Sequence, residues 1–338
     1  MKILEFLIYA LLKTLNMLPR SVQFSLGNFL GHIFFETLEE RREISRWNLK
    51  KCFPEKKDEE INIILKKSFL LLGKSLFDFL NALWASDKKL KELLINFEEI
   101  KDVVDLKNPS RGKLLLFMHT PNLDLVVRMA SLFMPVSGMA RPQSNKIVDN
   151  LFKASRKKFT ERIFKPNEIL DLLDFLKKGK ACLYAPDQDY GYKSSIFVEF
   201  FGHKALTVKF PYIAAKKADC DVYLFSLEKR DSKYEVNLDR VILKGHKMEE
   251  DLREINLRIE EKIKKNPENY LWSHRRFKNR PEGEKSVYPE NLLRKRSTRR
   301  TKMINIRLSP LLIKRIRRRK TLTMRARSIL QSNLPRYQ

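Results

Sequence analysis

The sequence predicts an α/β protein with a mixed, partly parallel central sheet flanked by helices, a helical region before it and a basic extension after it. Three observations carry this prediction. Up to about residue 100 the apolar positions recur at helical spacing. From about Val103 short apolar runs appear at residues 114–118, 181–185, 197–201 and 222–227, separated in places by helical stretches such as residues 167–178. With 43% hydrophobic residues in 338, the chain can bury a substantial core. The expected organisation is a helical membrane-associating region over residues 1–100, an α/β domain over 101–288 and a basic extension over 289–338.

Residues 4–18 are mostly apolar, but Lys13 interrupts them and Pro19-Arg20 ends them. The run is shorter than the roughly 20 residues a spanning helix needs, so it is expected to lie on a membrane or dip into it. Lys2 before an apolar core also resembles a signal peptide, but no small-x-small cleavage site follows Leu18. Residues 24–35 include Gly27, Gly31 and His32 and read either as a packed helix or as a second membrane-contacting face. Residues 57–72 and 74–84 read as helices, with Pro54 as punctuation.

His119 and Asp124 stand five residues apart in Leu-Leu-Leu-Phe-Met-His-Thr-Pro-Asn-Leu-Asp, directly after a strand-like run. On a continuous helix, residues five apart point about 140° away from each other, so the pair can meet only where the chain changes course. Thr120 as N-cap and Pro121 at the first helical position supply that change, and Leu123, Val126, Val127, Ala130 and Leu132 continue as an apolar stripe. An imidazole on such a turn suits acyl transfer. It can take a proton from a hydroxyl near neutral pH, while a carboxylate on the other ring nitrogen fixes the tautomer and stabilises the imidazolium. The acceptor alcohol can then attack directly in a ternary complex, without an acyl-enzyme.

Other groups are read with their alternatives open. Asp187 and Asp189, in the turn after residues 181–185, could bind a metal, take part in acid/base work or cap a loop. Arg141, Asn145 and Arg156 could bind phosphate or stay solvated. The stretch Tyr-Leu-Trp-Ser-His-Arg-Arg-Phe-Lys, residues 270–278 with Arg275 and Arg276, could be an interfacial belt, an anion contact or the edge of a core. Three cysteines without a C-x-x-C pair argue against a disulfide framework or a zinc site, and Cys182 reads as a core residue.

The formal charge is +28. Residues 291–338 contain 16 Lys and Arg and no acidic side chain, leaving 53 basic and 41 acidic residues before them, a net of +12. Such a field favours anionic partners such as phospholipid, phosphorylated glycolipid, an acidic carrier protein or nucleic acid. In the extension, Ser309-Pro310 could open a basic amphipathic helix held against anionic lipid. A strand-then-helix reading resembles a ribbon-helix-helix DNA binder, but nucleic acid is not the expected partner.

Several blocks occur in order along the chain: Asn48-Leu-Lys-Lys-Cys-Phe-Pro, the His119/Asp124 motif, Arg141-Pro142 with Asn145, Ala185-Pro-Asp-Gln-Asp-Tyr-Gly, Phe197-Val-Glu-Phe-Phe-Gly, and Tyr270-Leu-Trp-Ser-His-Arg-Arg-Phe-Lys-Asn-Arg-Pro-Glu-Gly-Glu. Together they resemble the late acyltransferases of lipid A synthesis, within the lysophospholipid acyltransferase superfamily, over residues 1 to about 288. The resemblance implies a glycerolipid-acyltransferase-like fold. It also implies transfer of a fatty acyl group from acyl carrier protein to a hydroxyl of a phosphorylated, Kdo-bearing lipid A precursor at the cytoplasmic face of the bacterial inner membrane. His119 would be the general base and Asp124 its orienting partner. Arg141, Asn145, Arg156, Arg275 and Arg276 would contact substrate, and Asp187 and Asp189 would shape the site. It implies neither a metal nor an organic cofactor. The alternatives are a lysophospholipid or glycosylated phosphoinositide acceptor, or a basic membrane-binding protein without turnover. Asp124 departs from the glutamate most lipid A members carry there, and residues 289–338 have no counterpart in the family pattern.

Overall fold

The computed structural model describes residues 3–101, 103, 110–142 and 146–293. Met1–Tyr288 form one compact unit, and residues 289–293 belong to a second, where Glu290–Leu293 make a single helical turn. In chain order the first unit contains α1 (Ile3–Met17), α2 (Arg20–Thr37), α3 (Glu39–Cys52), α4 (Asp58–Trp84), α5 (Asp87–Glu92) and α6 (Phe97–Lys101). The mixed region follows with β1 (Lys113–Leu116), α7 (Leu123–Ala130), β2 (Val136–Met139), α8 (Lys146–Arg156), β3 (Thr160–Phe164), α9 (Ile169–Lys177) and β4 (Ala181–Tyr184). After these come β5 (Ser195–Phe200), β6 (His203–Val208), α10 (Phe210–Ala218), β7 (Asp221–Arg230), β8 (Lys233–Arg240) and α11 (Met248–Lys265).

The periodicity predicts two helices over 57–72 and 74–84; the chain forms one, α4, continuous through Gly73. Glycine inside a helix costs about 1 kcal/mol relative to alanine, and here it makes a close crossing possible. A β-carbon at Gly73 would stand 2.1 Å from the Gly27 carbonyl oxygen and 2.4 Å from the Gly31 nitrogen, so α2 and α4 meet backbone to backbone. The start of α4 is fixed by Glu60, which accepts the Lys57 N–H at 3.1 Å, and by the acidic run Asp58, Glu59, Glu60 against the positive end of the helix.

Six strands form one sheet in the order β3-β2-β4-β1-β7-β8, parallel except for the antiparallel β7/β8 pair, and β5 and β6 make a separate antiparallel ribbon. This is the mixed, partly parallel, helix-flanked sheet the sequence predicts. Every residue of β1 and β4 is buried, which explains their apolar texture; the exception to that texture is Lys113, whose Nζ donates to the Arg111 carbonyl at 2.7 Å. Leu115, Leu183, Tyr223 and Phe225 of the sheet join Leu125, Val126 and Met129 of α7 in the main core. Cys182 lies fully buried in β4, where burial pushes its thiol up.

Among the described residues no helix is long and apolar enough to cross a membrane. Helices α1 and α2 nevertheless leave large apolar side chains in solvent: Leu7, Leu11 and Met17 on the first, Val22, Leu26, Phe29 and Ile33 on the second. Of the two readings of residues 24–35 the packed helix is observed: α2 packs on α4 through Gly27 and Gly31, and it also bares an apolar stripe.

Candidate active site

Strands β1 and β4 run parallel as neighbours, with Leu116 opposite Tyr184. Three residues beyond each of these paired positions the chains carry His119 and Asp187, and the two side chains meet. The His119 ring Nδ1 lies 2.7 Å from Asp187 Oδ1, and the His119 backbone N–H donates to Oδ2 at 3.0 Å. Asp187 is fully buried, whereas the imidazole keeps 17% of its side chain exposed. With a proton on Nδ1 donated to the carboxylate, Nε2 is the ring's basic nitrogen; this tautomer follows from the hydrogen-bond network. Burial alone would raise the Asp187 carboxyl, but the His119 charge and the hydrogen bonds from its ring and backbone outweigh burial and hold it below the ordinary carboxylate value.

The sequence reading gives Asp124 the place on Nδ1 that Asp187 occupies. Asp124 instead accepts two hydrogen bonds from Arg156, from Nε at 3.0 Å and Nη2 at 2.7 Å. The pair is nearly buried and ties the first turn of α7 to the end of α8. Burial raises the Asp124 carboxyl, and the Arg156 charge and hydrogen bond offset only part of that effect. The helix also begins later than expected. Asn122 is the N-cap of α7, and Thr120, expected there, has a buried hydroxyl with no hydrogen-bond partner among the described residues.

The remaining sequence candidates do other work. Asp189 is a loop strut, accepting the Gly191 N–H at 3.0 Å and the Asn279 side-chain amide at 2.8 Å. Its own N–H donates to His274 Nε2 at 3.1 Å; burial first, then the neighbouring charges of His119 and Arg276, push His274 down to about 3, so this ring stays a neutral acceptor. Both carboxylates that might have bound a metal are thus engaged by protein donors. Arg275 pairs with Glu40 at 2.7 Å, joining this segment to α3. Arg276 is only 2% exposed. It donates to the Leu206 carbonyl and the Thr207 hydroxyl and lies over the Phe200 ring, so its expected contact with substrate is replaced by a structural one. Arg141 is exposed, with its guanidinium 5.5 Å from the Tyr190 ring centre. Asn145 lies outside the described residues.

Of the three readings of residues 270–278, the edge of a core is the one realised. The Leu271 N–H donates to the His119 carbonyl at 2.9 Å and the Tyr270 hydroxyl to the Asp187 carbonyl at 3.3 Å, fastening the segment to both turns of the site. From behind, the Asn48 amide donates to the carbonyls of Trp272 and His274 at 2.6 and 2.7 Å. Sequence reasoning quoted Asn48 and Tyr270 without giving them these tasks. The available signal was the lone Asn48 on the inward face of α3, since a buried amide needs partners.

The site therefore offers an imidazole with a fixed tautomer and an accessible ring, held by the carboxylate from the neighbouring strand end. That set can remove a proton from a hydroxyl and direct the resulting oxygen at an acyl carbon. The bacterial lipid A biosynthesis acyltransferase family matches residues 1–279. The chain is 31% identical over 281 residues to the lipid A biosynthesis lauroyltransferase of Escherichia coli, covering 80% of this chain and 90% of that one. It is 29% identical over 276 residues to the palmitoleoyltransferase of the same organism, with the same coverage, and 27% identical over 282 residues to a lipid A biosynthesis acyltransferase of Haemophilus influenzae, covering 81% and 89%. The chain is an acyltransferase and belongs to the bacterial lipid A biosynthesis acyltransferase family.

Proposed function

We propose that the protein transfers a fatty acyl group from the thioester of acyl carrier protein to a hydroxyl of a phosphorylated, Kdo-bearing lipid A precursor, working peripherally at the cytoplasmic face of the inner membrane. The observation that carries the mechanism is the two-point grip of Asp187 on His119. In this mechanism Nε2 takes the proton of the acceptor hydroxyl, and the oxygen bonds to the thioester carbonyl carbon. The tetrahedral intermediate then collapses, the carbon–sulfur bond breaks, and the imidazolium returns its proton to the departing thiolate. No enzyme nucleophile enters. Asp187 holds the ring in its productive tautomer and stabilises its charged form.

In the same reading Asp124 acts through Arg156. The carboxylate engages Nε and Nη2, which leaves the Nη1 edge of the guanidinium for an oxygen of the substrate. Membrane association is supported by the exposed apolar side chains of α1 and the exposed apolar stripe of α2, and donor docking by the chain's positive charge, because opposite fields raise encounter rates with an acidic carrier. The test is an assay with acyl carrier proteins of varied chain length and an acceptor lipid, followed by product mass. An added acyloxyacyl ester in the wild type, lost in His119→Ala, is the expected result; equal product from both proteins rejects the mechanism.

A further inference from the structure

Beside the catalytic turn is a small depression of about 20 Å³ lined by Lys74 and Asp78 of α4, Thr120, Pro121 and Asn122 of the turn, Leu227, Lys229 and Tyr234 of β7 and β8, and Asn269. It adjoins the active site on two sides, since Thr120 follows His119 in the chain and Asn269 precedes Tyr270, which bonds the Asp187 carbonyl. Asp78, Tyr234 and Arg20 are joined by hydrogen bonds. The Tyr234 hydroxyl donates to Asp78 at 2.9 Å, and Arg20 Nη2 donates to Asp78 Oδ1 and to the Tyr234 oxygen, each at 2.8 Å. Arg20 therefore balances the single buried carboxylate.

Two cations remain. Neither the Lys74 nor the Lys229 ammonium has a hydrogen bond or ion pair among the described residues; they lie 5.7 and 4.0 Å from the Phe24 ring centre. Both amines sit below the ordinary lysine value. Burial is the main cause for each, opposed at Lys74 by Asp78; for Lys229 the Lys74 and, more weakly, Arg20 charges add to it, while Asp78 and, most weakly, Asp231 oppose it. Thr120 is only 8% exposed, and its hydroxyl is without a partner. A buried hydroxyl and two close, unpaired ammonium groups at one opening leave a surplus of two positive charges, and each would be relieved by an anionic oxygen. The cavity has room for about one oxygen-sized group, so the rest of the ligand stays at the mouth. A phosphate monoester, carrying about −1.5 to −2 at neutral pH, matches the surplus, whereas a carboxylate carries half of it.

We propose that Lys74, Lys229 and Thr120 form a binding site for a phosphate oxygen of the glycolipid acceptor, distinct from the Asp124/Arg156 pair. The acceptor's identity rests on the proposed function above, but the test does not require turnover. In the full-length His119→Ala protein, lysine acylation by a soluble amine reagent is followed by mass spectrometry with phosphorylated acceptor, enzymatically dephosphorylated acceptor, or acyl carrier protein alone. Phosphorylated lipid should slow modification of Lys74 and Lys229 about tenfold relative to dephosphorylated lipid. Lys74→Gln/Lys229→Gln should abolish the preference for phosphorylated lipid in equilibrium binding, and Lys74→Arg/Lys229→Arg should retain it. Equal protection by both lipids, or protection by the carrier protein and not by lipid, overturns the assignment. Protection without any acyl transfer by the wild type would instead sink the catalytic reading and leave this site standing.

Discussion

Both Asp187 oxygens are held by one residue, His119, so removing the charge should disturb ring orientation and chemistry together. His119→Ala is expected to lower turnover by about 10²-fold or more. Asp187→Asn, whose amide can offer Nδ1 the wrong partner, should lower kcat by about 10²- to 10⁴-fold with little change in acceptor KM. Asp124→Asn, which weakens the hold on Arg156, should act mainly on KM. Steady-state kinetics of the three variants separates these roles. The pH dependence has a definite sign. The folded Asp187 carboxyl lies below its ordinary value of 3.8, so its stabilisation is complete above that value and is lost as pH falls through the lower folded one. Acid unfolding of the wild type below about pH 4 should therefore be steeper than that of Asp187→Asn, measured by circular dichroism. His119 stood out as a candidate because it follows an apolar strand-like run and precedes Thr-Pro, which places it on a strand-to-helix turn. Its carboxylate was assigned to Asp124 because five residues along the chain is a local distance, whereas the true partner lies 68 residues away and is brought in by parallel register. The equal three-residue offset of His119 and Asp187 from their apolar strands was visible, but only the adjacency of β1 and β4 gives it meaning.

Among the elements, the α2/α4 crossing has no spare room. Gly73→Ala drives a methyl into the Gly27 carbonyl and is expected to destabilise the fold by about 2 kcal/mol or more, read as a lower urea midpoint at unchanged slope. The gain in helix propensity from alanine, about 1 kcal/mol, is too small to compensate. Long helices and the fully buried strands were legible because one face or every face is apolar. Strands β2, β3, β6 and β8 were not. Glu161 and Arg162 are exposed on the edge strand β3, and β8 alternates buried Tyr234 and Val236 with polar residues, so neither produces a continuous apolar run. Thr120 was misread for a related reason: capping chemistry fits either of two nearby positions, and the turn over residues 120–122 moves the helix start to Leu123.

At the scale of the whole molecule, exposed apolar side chains on α1 and an exposed apolar stripe on α2 accompany a strongly basic composition. Replacing Leu11 and Phe29 together by Glu should reduce partition into anionic vesicles at least about tenfold, because each large side chain contributes about 1.5–3 kcal/mol when buried in lipid. Sedimentation with vesicles checks this, and the unfolding midpoint should not move, since both side chains already face solvent. The contact at Gly73 bears on this arrangement as well. The stripe of Val22, Leu26, Phe29 and Ile33 rides on one partner of that crossing, and Lys74, the residue after Gly73, rides on the other. Two helices locked atom against atom cannot slide, so if the stripe enters a bilayer as proposed, the height of the lysine follows from how deeply it sinks. On the proposed membrane-bound reading this crossing would act as a depth gauge, and lipids whose head groups project to another level should be poorly presented to Lys74.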